Sequence, residues 1–489
     1  MSGGIDSAAV ALDEGRRRWT FAEIDRETDL LVQRLRSQGS RVIATLMDNA
    51  PAWVVADRAA LHAGLVHVPL PAFFTPEQVA HALGAAGVDT VLTLPALAAR
   101  WPQVPAAEIT VASQPLVMLH LPARAVLMPT ATTKVTFTSG TTGSPKGVCL
   151  AEAAMLRVAQ ALVQAMEPLD IRRHLCALPF AVLLENIAGV MAPLLRGATC
   201  VTLPLQNLGL SGSSSFDAAR FHETVVAQQP NSIILLPQML RAWTGYLAHS
   251  GQRAPASLRL VAVGGAAVGV KLIHSARALG IPAYEGYGLS EGASVQTLNL
   301  PGSDHPGTAG RALPHAQLRI AGDGEIEVTG SLFGGYLGSD AVVPIWWATG
   351  DLGHIDDDGF LHIDGRKKHL LISTFGRNVS PEWVETALRS ESSIVQAVVF
   401  GDAQPALSAV LWSLCPDASD AALQAAVDTA NAALPDYARV QRWVRARAPF
   451  SVEAGLATVN GRPRRAAVLQ LHADALGMTA TSSNDSEFP

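Results

Sequence analysis

The chain contains 489 residues, of which 49% are hydrophobic and 16% are charged. This composition excludes a wholly disordered chain and supplies enough apolar material for a sizeable core. The formal net charge of −6 gives no electrostatic reason to expect a nucleic-acid partner, and the length favours two or three domains over one.

Cysteine spacing and hydropathy predict a reduced, cytoplasmic protein without a transmembrane segment. The four cysteines lie far apart and form no C-x-x-C pair, which predicts neither a disulfide framework nor a zinc site. Residues 1–15 lack the basic and apolar regions of a secretory signal. The most apolar long segment, residues 178–204, falls short of the roughly 18–20 uninterrupted apolar residues that a spanning helix needs. The cysteines are Cys149, Cys176, Cys200 and Cys415.

The elements predicted for the first 350 residues alternate between helices and short apolar strands. Residues 20–23, TFAE, read as a capping box and predict a helix that ends near Gly39. A strand-like run follows at 41–47, and similar apolar runs occur at 232–236 and 258–263. Such alternation predicts α/β construction with strands buried on both faces.

The character of the sequence changes near residue 350. Residues 356–359, DDDG, predict a hairpin turn, and residues 380–382, SPE, predict the start of a helix with serine as its N-cap. A strand at 394–400, a helix at 420–434 and a strand at 440–444 are expected to follow. The 14 histidines show no ligand spacing, and none is assigned to chemistry.

This change divides the chain into a large domain and a small one. We place the large domain at residues 1–365, a hinge at 366–368 and the small domain at 369–476. The tail, residues 477–489, is rich in Ser, Thr and Asn and is predicted to be disordered.

Residues 138–147, TSGTTGSPKG, contain the ingredients of a phosphate-binding loop directly after a β-prone run at 135–137. Glycines let backbone N–H groups approach phosphate oxygens, hydroxyl side chains add donors, and Lys146 adds a positive charge. The Walker A spacing is absent because Pro145 precedes this lysine and Gly147 follows it. The loop therefore predicts phosphate binding outside the Walker A pattern.

These ten residues resemble the most diagnostic signature of the AMP-forming adenylating enzymes. That superfamily includes acyl-CoA synthetases, peptide-synthetase adenylation domains and luciferases, and the long-chain acyl-CoA synthetase branch is the most similar. Further segments resemble the family's motifs in the family's order, from about Thr20 to about Arg465. They are Ala63-Gly64 with Val68-Pro69-Leu70, Gly264-Gly265-Ala266, residues 284–291 (YEGYGLSE), residues 347–351 (WATGD), Gly365-Arg366 and residues 434–437 (LPDY).

The resemblance implies an α/β fold with a large N-terminal domain of α/β subdomains, a small mobile α+β C-terminal domain, and an active site at their interface. It also implies a reaction in which a carboxylate attacks the α-phosphate of ATP, pyrophosphate leaves, and the acyl-adenylate passes its acyl group to a thiol. Such an enzyme must hold the leaving phosphates and neutralise charge in the transition state. The implied cofactors are ATP, Mg²⁺ and the thiol of CoA or of a carrier-protein phosphopantetheine.

The resemblance assigns site roles residue by residue. Lys146, Glu291 and Arg462 are the implied catalytic residues, and Glu291 is also the implied Mg²⁺ ligand because magnesium prefers oxygen. Lys368 is the implied hinge. Tyr287 is assigned to stacking on adenine, and Asp351 to the ribose hydroxyls. The implied ATP- and AMP-binding residues are Thr138, Ser139, Gly140, Thr141, Thr142, Gly143, Lys146, Gly265, Ala266, Tyr287, Gly288, Ser290, Asp351 and Arg366.

Three positions depart from the family pattern. Ser290 stands where Thr is commoner and keeps the hydroxyl. Arg462 replaces a lysine that reaches the site during adenylation, and it keeps the charge in a larger, planar group. Phe375 stands where the family often has glycine, in a loop at 370–379 that resembles the lining of the thiol tunnel.

These departures leave alternatives open. With Arg462 the protein is either a working ligase or a non-catalytic nucleotide- or acyl-binding protein, and the intact remainder of the ATP site favours activity. With Phe375 the acceptor stays open between CoA and a carrier protein, which would then be a partner.

The identity of the acid is open as well. Residues 178–186, LPFAVLLEN, resemble the region that shapes the acyl pocket, with Val182 in place of a common histidine. They are mostly apolar, and no Asp is placed to hold an α-ammonium group. This counts against amino-acid substrates and leaves fatty, branched or aryl acids, since an apolar pocket distinguishes one methylene by only ~1–3 kcal/mol.

Overall fold

The structure, a computed structural model, describes residues 5–122, 124–138, 146–211, 215–372, 378–402, 404, 406–413, 419–458 and 461–478. The chain folds into two compact units, of which the first comprises Met1–Thr349 with Ile355–His362 and the second Gly350–His354 with Ile363–Pro489. A large mixed α/β unit followed by a small one confirms the predicted fold class. The domain bounds, the mobility of the small domain and a site at the interface stay predictions.

Helices and strands alternate through most of the described residues. The helices are α1 Phe21–Ser37, α2 Pro51–Ala63, α3 Pro76–Ala86, α4 Pro95–Ala98, α5 Glu152–Ala165, α6 Ala192–Arg196, α7 Ala218–Gln228, α8 Pro237–Ser250, α9 Val270–Ala278, α10 Pro381–Arg389, α11 Asp420–Ala432 and α12 Arg465–Leu476. The first strands are β1 Val10–Asp13, β2 Arg18–Thr20, β3 Val42–Leu46, β4 Val66–Leu70, β5 Thr90–Thr93, β6 Ala106–Val111, β7 Gln114–His120, β8 Thr132–Thr138, β9 Lys146–Ala151, β10 Arg173–Leu175, β11 Thr199–Val201, β12 Leu210–Ser211, β13 Ser215–Phe216 and β14 Ser232–Leu235. The remaining strands are β15 Leu260–Val263, β16 Ala283–Leu289, β17 Ser294–Leu298, β18 Arg311–Ala312, β19 Gln317–Ile320, β20 Glu325–Thr329, β21 Gly335–Tyr336, β22 Trp347–Ile355, β23 Leu361–Arg366, β24 Leu371–Ile372, β25 Asn378–Val379, β26 Gln396–Phe400, β27 Leu407–Trp412 and β28 Val440–Arg445.

Two large sheets form the framework of the first unit. One has the order β18-β17-β16-β15-β14-β10-β11-β1-β2, and the other β21-β9-β8-β4-β3-β5-β7-β6. Their central strands are parallel, and β5 and β14 are buried at every position. This is the two-sided burial expected of parallel strands covered by helices. A smaller sheet has the order β19-β20-β22-β23, and the division between the two units passes through β22 and β23.

Helix α1 begins as its sequence predicts. Thr20 Oγ1 accepts a hydrogen bond from Glu23 N at 3.2 Å, and Thr20 N donates to Glu23 Oε2 at 2.8 Å. This capping box satisfies two backbone donors that the helix itself leaves unpaired, and an N-cap is worth about 0.5–2 kcal/mol. Ile24, Leu31 and Leu35 then place one face of the helix in the core.

The apolar segment 178–204 lies in the core of the first unit. Phe180 is buried, and its ring centroid lies 5.3 Å from that of Trp53, which is itself buried on α2. Leu178 and Leu194 are buried in neighbouring clusters. Among the described residues, no helix has the combined length and apolar character needed to cross a bilayer.

The second unit has its own small sheet, in the order β26-β27-β28. β26 and β27 are antiparallel, whereas β27 and β28 are parallel. Val384 and Leu388 of α10 pack with residues of α11 and the sheet in one buried cluster. Helix α10 begins with Ser380 as N-cap, whose side chain accepts from Trp383 N, and this confirms the predicted start.

Candidate functional site

The ends of the predicted phosphate loop lie on a hairpin in the first unit. β8 and β9 are antiparallel, and Thr138 pairs with Lys146 across them. Thr138 Oγ1 also donates to the carbonyl oxygen of Lys146 at 3.5 Å. Lys146 is exposed. The residues between them, including Ser139, Gly140, Thr141, Thr142 and Gly143, lie outside the described residues, so their proposed phosphate contacts stay predictions.

A tyrosine that the sequence did not single out connects the two implied catalytic residues of this unit. Tyr336 lies on β21, which pairs with β9. Its hydroxyl donates to Glu291 Oε1 at 2.8 Å, and Lys146 Nζ lies 5.6 Å from the centroid of its ring. Burial and the adjacent Glu291 carboxylate raise the pKa of Tyr336, so its hydroxyl stays a donor at neutral pH. A cation and a carboxylate thus flank one aromatic ring.

The implied adenine segments lie at one edge of the larger sheet. β15 and β16 are parallel, so their carboxyl ends meet at the same edge. Gly265 and Ala266 follow β15, whereas Tyr287 and Gly288 lie near the end of β16. Gly265 has a φ of +89°, a conformation that favours glycine. The structure therefore brings these two distant segments to a common edge, as in other open α/β sheets that bind ligands there.

The turn after β16 holds strained backbone. Ser290 and Glu291 lie in a short 3₁₀ helix, Ser290–Gly292, which is followed by Ala293 at φ 54° and Ser294 at φ 100°. Such conformations cost roughly 1–3 kcal/mol each in residues other than glycine. They persist where packing fixes them, and here Ala293 is fully buried. This packing holds the turn from which Glu291 projects.

The two implied ribose residues pair within the second unit. Asp351 on β22 is buried, and Arg366 at the end of β23 donates from Nε to Asp351 Oδ1 at 2.6 Å. The sequence placed them 15 residues apart, and the strand pairing brings their side chains together. Any contact of this carboxylate with a ribose hydroxyl stays a proposal.

Arg462 and Lys368 also lie in the second unit. Arg462 is exposed on a tight loop, where its backbone N–H donates to Thr458 Oγ1 at 3.2 Å and its carbonyl accepts from Thr458 N at 2.7 Å. Lys368 is exposed in a 3₁₀ turn, Lys367–His369. Phe375 and Cys415 lie outside the described residues.

A buried charged network lies beneath the phosphate hairpin. Lys134 on β8 is fully buried, its Nζ lies 2.7 Å from Asp57 Oδ1, and it also donates to Asn186 Oδ1. His67 Nδ1 contacts the same Asp57 oxygen at 2.5 Å. Burial alone would raise the pKa of Asp57, but Lys134 and His67 outweigh it and hold this pKa well below its usual range. Lys134 lies four residues before Thr138 on β8, so the network fixes the strand that leads into the loop.

Part of the predicted acyl-pocket segment proves to be core. Phe180 packs on Trp53, and Asn186 donates to Asp57 Oδ2 at 3.1 Å. Leu184 instead faces a small, largely apolar cavity of about 50 Å³, which Ala188 and Val295 also line. The sequence could not separate the roles of Phe180 and Leu184 because both residues are apolar.

The predicted turn at 356–359 is confirmed, and two histidines gather around it. Gly359 N donates to the carbonyl oxygen of Asp356, closing the turn between β22 and β23. Asp356 Oδ2 lies 3.0 Å from His362 Nε2 and 3.6 Å from His305 Nδ1. Sequence spacing gave no sign of this grouping, since His305 and Asp356 are far apart in the chain.

Comparisons with known proteins agree with this arrangement of motifs. The chain matches the AMP-binding enzyme family over residues 5–336 and the AMP-binding enzyme C-terminal domain over residues 368–478. It is 40% identical over 186 residues to the long-chain-fatty-acid–CoA ligase FadD15 of Mycobacterium bovis, a match that covers 37% of this chain and 31% of that protein. It is 29% identical to the 2-succinylbenzoate–CoA ligase of Geobacillus kaustophilus, over 94% of this chain and 92% of that protein.

Its fold is similar to that of o-succinylbenzoate CoA synthetase (MenE) from Bacillus subtilis in complex with the acyl-adenylate intermediate OSB-AMP. That likeness has a TM-score of 0.75 and 23% sequence identity and covers 94% of each chain. The match to the fatty-acid ligase spans about a third of that ligase's length, but the family match covers well over half of the present chain. The chain therefore belongs to the AMP-binding enzyme family.

Proposed function

We propose that the protein activates a carboxylic acid with ATP and Mg²⁺ as an acyl-adenylate, releases pyrophosphate and transfers the acyl group to the thiol of CoA. The observation that carries this proposal is the arrangement of Lys146, Tyr336 and Glu291. Lys146, at the end of the glycine-rich loop, lies near the ring of Tyr336, and the Glu291 carboxylate accepts a hydrogen bond from the hydroxyl of the same tyrosine. A reaction that expels pyrophosphate needs both the cation and the carboxylate, one for the phosphate charge and one for the metal.

In this proposal each residue has a separate task. Lys146 and the loop at 138–147 would hold the β- and γ-phosphates, and Glu291 would hold the Mg²⁺ that supplies positive charge to the leaving pyrophosphate. The Tyr336 hydroxyl donates a hydrogen bond to one oxygen of the Glu291 carboxylate at 2.8 Å. This bond orients the carboxylate for metal binding. Tyr287 stacks on adenine, Asp351 accepts from the ribose hydroxyls, and its pairing with Arg366 orients the carboxylate.

The proposed acid is fatty or aryl. Two relatives are named as ligases of long-chain fatty acids and of 2-succinylbenzoate. The cavity beside Leu184 is mainly apolar and has a volume of about 50 Å³.

The test is pyrophosphate release by the purified chain with ATP and Mg²⁺, across a panel of fatty and aryl acids. Each acid is supplied alone, with CoA, and with a phosphopantetheine-bearing carrier protein. We expect acid-dependent release that CoA stimulates, and formation of the matching acyl-CoA. Lys146→Ala should abolish release, whereas Lys271→Ala, on the exposed face of α9, should leave it unchanged. If only the carrier protein stimulates pyrophosphate release, the acyl acceptor is a carrier protein and not CoA.

The alternative of a non-catalytic binding protein rests on Arg462. It predicts that ATP raises the thermal stability of the chain while no acid in the panel releases pyrophosphate. The proposed ligase activity would be overturned if the wild-type chain gives that outcome and the Arg462→Lys variant also releases no pyrophosphate with any acid.

A further inference from the structure

Three buried side chains of metal-ligating type meet at the start of the π-helix Glu185–Met191. His174 lies on β10, Cys176 follows that strand directly, and Glu185 is the first residue of the π-helix. Their ligand atoms all lie within 4.8 Å of one another. The side chains are enclosed, with exposed fractions of 2%, 0% and 0%. None of the three is among the residues proposed to bind ATP or Mg²⁺, and His174 also lines the cavity beside Leu184.

One of the two carboxylate oxygens in this cluster lacks a partner that its burial requires. Glu185 Oε1 lies 3.3 Å from His174 Nε2. Glu185 Oε2 is buried and has no hydrogen-bond partner among the residues that the structure describes. Burial of an unpaired carboxylate oxygen is costly, and proteins meet that cost with an opposite charge, hydrogen bonds or a metal.

A second thiol lies beside the first. Cys200 is on β11, which pairs in parallel with β10, and it is fully buried. The sulfur atoms of Cys176 and Cys200 each donate to the carbonyl oxygen of Gly189 at 3.5 Å. Two neighbouring strands and one helix thus contribute two sulfurs, one imidazole and one carboxylate to one region.

Local structure holds these groups in place. A Cβ atom on Gly189 would overlap Glu185 Oε1 and would lie 2.9 Å from His174 Nε2, so only glycine leaves room for the cluster. Ser232 Oγ lies 2.8 Å from His174 Nδ1. If the ring donates from Nδ1 to this hydroxyl, Nε2 is left with a lone pair that faces the cluster. π-helical turns of this kind are rare and recur at functional sites.

We propose that His174, Cys176 and Glu185 bind one zinc ion, with the neighbouring thiol of Cys200 as the fourth ligand once its side chain moves closer to the other three. Zinc accepts sulfur, nitrogen and oxygen ligands in a tetrahedron, and ligands about 2.0 Å from the metal then lie roughly 3.3 Å apart. His174 Nε2 and Glu185 Oε1 are separated by that distance. The ion would place a positive charge beside the buried Glu185 carboxylate and would link β10, β11 and the π-helix.

Loading the site involves no redox change. Each thiol loses its proton to solvent as its sulfur bonds to Zn²⁺, so two protons are released, and the two thiolates and the Glu185 carboxylate face the 2+ ion. The hydrogen bonds from the two thiols to Gly189 are lost in the same step. Because the site is enclosed, the metal would enter during folding and would exchange slowly afterwards.

The decisive measurement is metal content. The untagged chain, expressed with zinc and dialysed against a weak chelator, should carry one zinc ion per chain by mass spectrometry of the elements. Chain refolded with Co²⁺ in place of zinc should show sulfur-to-cobalt charge-transfer absorption in the near ultraviolet. Neither readout depends on ligase activity, so this proposal and the proposed function can fail separately.

Variants locate the metal. Cys176→Ser should lower the zinc content by at least about tenfold, as expected when a thiolate ligand is lost. Cys149→Ser, which removes a buried thiol on β9 outside the cluster, should keep it. A folded wild-type chain that binds neither zinc nor cobalt would overturn the proposal, even if the Cys176 variant fails to fold. So would a Cys176–Cys200 disulfide, or zinc retained by the Cys176 variant.

Discussion

At the scale of single residues, Tyr336 is the position that sequence motifs did not reveal. Its hydroxyl contacts Glu291 across 45 residues of sequence, and it lies on a two-residue strand whose own pattern carries no signal. Lys134 was missed for a similar reason, because a buried lysine in a strand looks like any exposed one in sequence. The sequence did single out Glu291, because its motif resembles that of the family. Its catalytic role stays a prediction.

The Tyr336–Glu291 hydrogen bond should affect the apparent affinity for Mg²⁺ more than the apparent affinity for ATP. Tyr336→Phe removes the donor that orients the carboxylate, and hydrogen bonds to charged groups are worth about 1.5–3 kcal/mol. We expect the apparent affinity for Mg²⁺ in pyrophosphate release to fall by about tenfold, with little change in the concentration of ATP needed. Tyr246→Phe on α8 is the matched control. An unchanged Mg²⁺ dependence would show that Tyr336 does not position the metal ligand.

Arg462 tests whether a charge at its position suffices. We expect Arg462→Ala to slow pyrophosphate release by about a hundredfold, the scale of losing one charged contact in a transition state. Arg462→Lys should stay within about tenfold of wild type, because the charge is kept in a more compact group. Arg464→Ala, an exposed neighbour, is the control. Equal rates for all three variants would remove Arg462 from the reaction.

At the scale of elements, sequence patterns predicted what local chemistry decides. The capping box at Thr20 and the N-cap at Ser380 begin helices α1 and α10 as expected. The strand-like runs at 41–47 and 232–236 correspond to β3 and β14. The π-helix at 185–191 was not predicted, because its residues have the composition of an ordinary α-helix.

Two glycines should respond to alanine in opposite directions. A Cβ atom on Gly288 of β16 would overlap the carbonyl oxygen of Ser294, so Gly288→Ala must separate β16 from β17. We expect a loss of about 1–3 kcal/mol, as for overpacking. Gly245 on α8 has open space around it, and Gly245→Ala should add about 0.5–1 kcal/mol through helix propensity. Urea denaturation of both variants measures this, and equal shifts would contradict the strand argument.

At the scale of the whole molecule, the sequence predicted two units but not how distant side chains combine within them. The imidazole, thiol and carboxylate of the His174 cluster come from segments whose spacing shows no ligand pattern. Strand order brings them together, and strand order cannot be read from a single sequence. The same holds for Lys134 with Asp57, which lie on different elements of the first unit.

Stability of the first unit should fall as pH rises from about 4.5 towards 7. Burial raises the pKa of Glu285, on β16, from 4.5 to about 7, and its bond from Gly307 N at 2.7 Å only partly offsets this. The folded chain therefore holds a proton on Glu285 that the unfolded chain has already lost, and this stabilisation is lost between about pH 4.5 and 7. Glu285→Gln should flatten that decline. If the free energy of unfolding changes equally with pH in wild type and variant between about pH 5 and 8, Glu285 does not cause the decline.

The second unit should show the opposite dependence at acid pH. Burial would raise the pKa of Glu382, but the hydrogen bond to His369 and the charge of Arg465 outweigh it and lower this pKa from 4.5 to about 2. The stabilisation is complete above pH 4.5 and is lost as pH falls towards about 2. Glu382→Gln should reduce the acid sensitivity of unfolding followed in this unit, for example by exchange of α10 amides. An equal acid response in the variant would argue against this pairing.

The buried Lys134 has a consequence for the chemistry of the chain's amines. The chain has only five lysines, and four of them, Lys146, Lys271, Lys367 and Lys368, are exposed, whereas Lys134 is fully enclosed. An enzyme that acetylates lysine, or a reagent that reacts with lysine amines, would therefore meet the proposed catalytic lysine and the proposed hinge among only four exposed lysine side chains. Bound ATP should shield Lys146 selectively, and labelling of Lys134 would report unfolding of the sheet that surrounds it.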